Sequence, residues 1–236
     1  MMDRFERFLA ATDDPSAMHI TLRALVFHIL EAVAPKFYSA RGVAPLHQRS
    51  LEQCKDVPYL FDVKEDEDAD LIQTGIDAWY LRRARGLPHT PPDRQKLRAT
   101  LEALRARGDV IYTWLLGELA AHAGVDVRLK FDRSDFKVSR LVEGYYLTHL
   151  VMIDSVYFTR PLRHRDAAVW ADVIAQMVPW LTRLPNPDLA GEVALCLTFM
   201  KRKEAAAARK LIEHVEPGED THEQATMLIG LTAEGP

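Results

Sequence analysis

The chain has 236 residues, 48% hydrophobic and 27% charged, a balance typical of globular proteins and long enough to bury a sizeable core. A net charge of −4 gives no global attraction for nucleic acid or an anionic membrane. No apolar run reaches the roughly 20 residues that span a bilayer, and the two cysteines, Cys54 and Cys196, match no metal or redox spacing.

In chain order, the residues predict helices throughout. The opening stretch MMDRFERFLAATDD is acidic and amphipathic, with no apolar signal core, so a cytoplasmic location is expected. Asp3 to Ala11 suits a short helix with Phe5, Phe8 and Leu9 on one side. A second helix runs from about Ser16 to Ala34, burying Leu22, Leu25, Val26, Ile29 and Val33 before Pro35 stops it. Residues 1–64 are the less regular part, broken beyond Pro35 by Gly42, Pro45 and Pro58, with Leu46 to Cys54 as a short helix. The run Asp62 to Asp70 (DVKEDEDAD) reads as the solvated acidic approach to the next helix. It lacks the glycine turn and ligand spacing of a calcium loop.

Ala69 to Arg85 is helical and ends at Gly86, and Pro91-Pro92-Asp93 opens another helix to Arg107. Asp109 to Ala123 is strongly apolar and ends at Gly124. Ser134 to Phe158 reads as one long central helix, apolar nearly all round. Asp166 to about Met177 follows, disturbed by Pro179. The C-terminal part, 186–233, is a helical hairpin from Leu189 to Val215 turning near Lys201 to Lys203, then a last helix from Thr221 to Leu231 and a fraying tail, AEGP. With no convincing strand, the expectation is an all-α fold, a single domain over 1–236 of stacked antiparallel helical hairpins forming a superhelical, solenoid-like body.

The polar residues of the central helix are conspicuous, because a buried ionisable group must be paired, neutralised or used. His149 shares a stripe with Tyr145, Tyr146 and Ile153, while Glu143 and Asp154 lie one stripe away. A histidine there suits acid/base work or metal ligation; its alternative is a core imidazole bonded to a carbonyl or a tyrosine hydroxyl. The catalytic candidates are therefore His149, Asp154, Glu143 and Tyr146. Asp77, Trp79 and Tyr80 on one helix, Trp114 on another, Tyr145 and His28 are candidate substrate-binding residues, with ordinary core packing as the alternative for the aromatics. Glu118 and His122, at i and i+4, are metal candidates together with His149.

No phosphate-binding glycine loop, dinucleotide fingerprint or nucleophile elbow is present, so the cofactor is unknown. The basic patch Lys201-Arg202-Lys203 lacks interleaved aromatics and reads as a solvated turn. The expected partner is a small-molecule or peptide ligand rather than nucleic acid or membrane, and the chain is compatible with a homodimer.

The segment Leu147-Thr148-His149 followed by Asp154, late in an all-helical chain, resembles an uncharacterised all-helical bacterial family, a domain of unknown function sometimes encoded beside natural-product pathway genes. The likeness covers the second half of the chain. It departs from the family in having Ser155 and Val156, with no glycine, after the aspartate. The resemblance implies that His149 and Asp154 are the positions to test, in a specialised biosynthetic role. The competing class is a helical-repeat-like protein-interaction scaffold with no catalysis.

Overall fold

The computed structural model describes residues 3–61, 68–122, 124–137 and 139–234. Among them the chain forms twelve α-helices and no strand, the all-α class that its periodicity predicts. No helix among the described residues is long and apolar enough to cross a membrane. The helices gather into two compact units interleaved along the sequence. One comprises Met1–Asp14, Val26–Ala44 and Glu143–Pro236, the other Pro15–Leu25 and Pro45–Val142.

The first unit holds α1 (Arg4–Ala11), the second half of α2 (Ala17–Val33), α3 (Pro35–Ala40), most of α8 (Arg140–Asp154), and α9 (Ala167–Arg183), α10 (Pro187–Phe199), α11 (Ala205–Glu213) and α12 (Thr221–Thr232). Its centre is α10, buried at every position from Leu189 to Thr198 and packed against α9, α11 and α12. Glycines let the backbones meet there: a Cβ on Gly230 would lie 2.6 Å from the Gly191 carbonyl oxygen. Gly191 lies against Thr226 and Gly230, and Asp188 lies against His222, so α10 and α12 run in the same direction. At the other end, α1 starts with a capping box. Asp3 accepts the Glu6 amide at 2.9 Å and Glu6 accepts the Asp3 amide at 3.4 Å.

The second unit contains the first half of α2, then α4 (Ala44–Gln53), α5 (Asp68–Ala84), α6 (Arg94–Ala106) and α7 (Val110–His122). Ala24, Leu51, Cys54, Ala78 and Leu81 make one of its apolar clusters. Buried Arg82 donates to the carbonyls of Leu51 at 2.7 Å and Pro88 at 2.6 and 2.8 Å, and buried Arg23 donates to Ser50 at 3.1 Å. These bonds supply the partners that buried guanidinium groups require.

Several expectations need correction. Of residues 35–64, the described part, 35–61, is more regular than its prolines suggest: Pro35 opens α3 as its first residue, and α4 is followed by a 3-10 turn over Cys54–Asp56. Pro179 does not disturb α9, whose buried face (Trp170, Ile174, Met177, Val178, Leu181) continues past it. The central helix is shorter at both ends than Ser134 to Phe158. A 3-10 turn occupies Arg133–Phe136, and α8 ends at Asp154. Past Ser155, the Tyr157 amide bonds the Met152 carbonyl at 2.7 Å and the Val156 amide bonds that of Ile153 at 3.1 Å. This closure needs a left-handed residue, and Val156, Tyr157 and Phe158 all take positive φ (52°, 52° and 66°). The tail does not fray at its start, since Ala233 is buried and the Glu234 amide bonds the Val33 carbonyl at 2.6 Å. The acidic run 62–70 lies outside the described residues except for the backbone of 68–70, which opens α5.

Candidate functional site

Asn186 and Pro187 set up the site by starting α10. Asn186 accepts the Leu189 amide at 2.8 Å, and Pro187 fills the first helical position, where its missing N–H costs nothing. Asp188 and Glu192 then fall one turn apart on one face of the helix. Asp220 caps α12 in the same way by accepting the His222 amide at 2.8 Å, which fixes His222 in the first turn. The paired glycines bring these first turns together.

Asp188 is the hub. Its Oδ2 accepts the Tyr145 hydroxyl at 2.7 Å, and its Oδ1 accepts the Thr226 hydroxyl at 2.7 Å and faces His222 Nδ1 at 3.1 Å. Its side chain is 19% exposed and that of His222 51%, so one edge of the cluster meets water. Glu192 is only 2% exposed. Its Oε2 accepts the Thr148 hydroxyl at 2.5 Å and lies 3.8 Å from His149 Nδ1. His149 Nδ1 is in turn 2.7 Å from the Tyr145 carbonyl oxygen.

These surroundings push the two carboxylates apart. Burial would lift Asp188, but the hydrogen bond and charge of His222, with the Tyr145 and Thr226 hydroxyls, hold it at about 2. Burial raises Glu192, and the Asp188 charge adds to the rise against the pull of His149. Around His222, the dense protein on its inner side pulls the imidazole down, and Asp188 outweighs this to leave it at about 9. Burial and then the Asp188 charge raise Tyr145, so the phenol keeps its proton and donates.

Of the sequence-predicted catalytic residues, His149 belongs to this cluster. Asp154 is engaged elsewhere, its Oδ2 accepting the backbone amides of Arg163 at 2.7 Å and His164 at 3.1 Å beyond the end of α8. Glu143 and Tyr146 are half-buried on α8. Among the substrate-binding candidates, Tyr145 is in the cluster, through its hydroxyl on Asp188 and its carbonyl on His149. His28 is buried in the part of α2 belonging to the same unit. Asp77, Trp79, Tyr80 and Trp114 are buried in the second unit. There Asp77 accepts from Gln73 at 3.2 Å, Trp79 packs on His89 and Trp114 edge-on to Phe136. Of the metal candidates, Glu118 is paired with Arg128 at 3.6 Å and His122 is exposed at the end of α7.

Sequence reasoning missed Asp188, Glu192 and His222, which lie with one potential ligand atom each inside 4.8 Å of one another. A signal for two of them exists: Glu192 is a lone carboxylate in the apolar run LAGEVALCLTFM, four residues after Asp188. Compared with protein-family models, curated proteins and solved structures, the chain matches none. The resemblance read from Leu147 to Asp154 rests on those residues alone.

Proposed function

We propose that the chain is an enzyme, or an enzyme-like binding protein, that handles a small molecule or peptide by proton transfer at His149. The observation that carries this reading is the buried carboxylate of Glu192 standing beside a histidine whose side chain stays open to water. A carbonyl oxygen only accepts, so the 2.7 Å contact with the Tyr145 carbonyl places a hydrogen on Nδ1 and leaves the lone pair of the neutral ring on Nε2. Glu192, 3.8 Å from Nδ1, stabilises the charge that forms when Nε2 takes a proton. A carboxylate behind an imidazole is the arrangement of a general base, and this ring keeps 16% of its side-chain surface open. In this reading the Tyr145 carbonyl orients the ring and Glu192 supplies the nearby negative charge. The specialised biosynthetic pathway is the part of the proposal drawn from the resemblance.

The test is a thermal-shift screen of a metabolite and short-peptide library against wild type and His149→Gln. Unliganded, the variant is expected to melt within about 4 °C of wild type, the shift that roughly 1 kcal/mol produces in a chain of this size. At least one compound class should stabilise wild type and not the variant. Compounds that stabilise both equally, or a variant that only loses stability as in an interaction scaffold, would overturn the proposal.

A further inference from the structure

We propose that Asp188, Glu192 and His222 bind a divalent transition-metal ion, with Zn²⁺ as the reference case. The donor set is mixed, two carboxylate oxygens and one imidazole nitrogen, which suits a first-row ion better than calcium or magnesium. His222 Nδ1 and Asp188 Oδ1 are 3.1 Å apart, the separation of two donors that each sit about 2.0–2.1 Å from one ion at a tetrahedral or octahedral angle. All three donors lie within 4.8 Å of one another, so a small side-chain adjustment brings Glu192 onto the same ion.

The charge pattern points the same way. The ion-pair partners of the two carboxylates are imidazoles: His222 for Asp188 and His149 for Glu192. Glu192 is almost fully removed from water, where an anion needs a compensating cation. A divalent ion supplies that charge. The outer contacts of a metal site are also in place. Tyr145 and Thr226 donate to Asp188, and Thr148 donates to Glu192, fixing each carboxylate from behind. The donors stand on two helices in backbone contact at Gly191 and Gly230, so the frame needs no large rearrangement.

This inference shares Glu192 with the proton-transfer reading and is otherwise independent of it. The experiment is calorimetric titration of the chelator-treated full chain with Zn²⁺ alone. Wild type is expected to bind one ion. Asp188→Asn and His222→Gln should each weaken binding by about 10- to 100-fold or more. His222→Gln alters a half-exposed ring, so a fold failure there is not expected, and circular dichroism of each variant checks it. Glu118→Gln, whose carboxylate pairs with Arg128 in the other unit, should bind like wild type. Absence of binding to wild type, or binding that persists in both Asp188→Asn and His222→Gln, would overturn the inference. Loss of ligand selectivity in His149→Gln with no Zn²⁺ bound to wild type would sink the metal site and leave the proton-transfer reading standing.

Discussion

Replacing Gly191 by alanine tests whether direct backbone contact between α10 and α12 holds the site together. A Cβ at Gly191 would stand 2.6 Å from the carbonyl carbon and oxygen of Thr226 and 2.9 Å from the Met227 nitrogen. Ordinary contact begins near 3.4 Å, so the two helices must separate by about 0.8 Å. The obstructing atoms are main chain and cannot rotate away. Alanine gains about 1 kcal/mol in helix propensity over glycine. Against that stand about 1–3 kcal/mol for overpacking and about 1 kcal/mol for each weakened hydrogen bond. The bonds at risk are Thr226 to Asp188 at 2.7 Å and His222 to Asp188 at 3.1 Å. The balance is a net loss of about 2–4 kcal/mol, or roughly 5–15 °C in Tm. Differential scanning calorimetry reads the shift directly. Gly144→Ala is the control, since its Cβ meets the methyl end of Leu189 at 2.7 Å and that side chain can turn aside. It should stay within about 1 kcal/mol of wild type. If Gly191→Ala melts at or above wild type, or if Gly144→Ala is the more damaging, the two backbones are not locked as described.

Val156→Gly should raise Tm. A β-branched residue at φ 52° carries about 1–2 kcal/mol of local strain, against about 0.5–1 kcal/mol of added chain entropy for glycine, and Val156→Ala should give no such gain. Calorimetry showing a lower Tm for the glycine variant would contradict that account. Cys54 and Cys196 should resist thiol reagents in the native protein at pH 8. Burial, opposed by Arg82, raises the Cys54 thiol to about 12, and burial and then Glu192 raise that of Cys196, so neither forms thiolate as pH rises toward 9. Absorbance with an aromatic disulfide should count no thiols folded and two in denaturant, and rapid native labelling would mean that the cysteines open to solvent. Arg82→Lys should cost about 2 kcal/mol in urea titration. One ammonium cannot reproduce the fork that serves the Leu51 and Pro88 carbonyls; a neutral outcome would show that those carbonyls find other partners.

Most of the helical order is legible in the sequence because caps and breakers are local. Asp3, Asp93, Asn186 and Asp220 each sit one residue before a helix and accept an amide from its first turn. Where the reading fails, tertiary contacts override the local signal. Pro179 reads as a break, yet the buried face of α9 carries the helix through it. Ser155 to Phe158 continues the apolar periodicity of α8, yet its backbone turns left-handed to close the helix. The site shows the same division. His149 is conspicuous because it interrupts an apolar helix, and the same physical rule marks Glu192, alone among Val193, Ala194 and Leu195. His222 has no such mark. It is half-exposed, near the start of a helix, and 34 residues from its partner Asp188, so only the packing of α10 on α12 reveals it.

The position of Glu192 explains why both proposed activities converge on one helix. In α10, buried at every position from Leu189 to Thr198, a carboxylate is the costliest residue to place, and an apolar side chain of similar size would pack there without penalty. Its Oε2 accepts the Thr148 hydroxyl and lies 3.8 Å from the His149 imidazole on α8, and the same residue lies one turn from Asp188 toward α12. Glu192 thus stands between the imidazole on α8 and the proposed donor set on α10 and α12. In that geometry an ion held by Asp188, Glu192 and His222 would lower the electron density on the carboxylate behind His149, weaken its hold on a protonated ring, and so tune the base from within the protein.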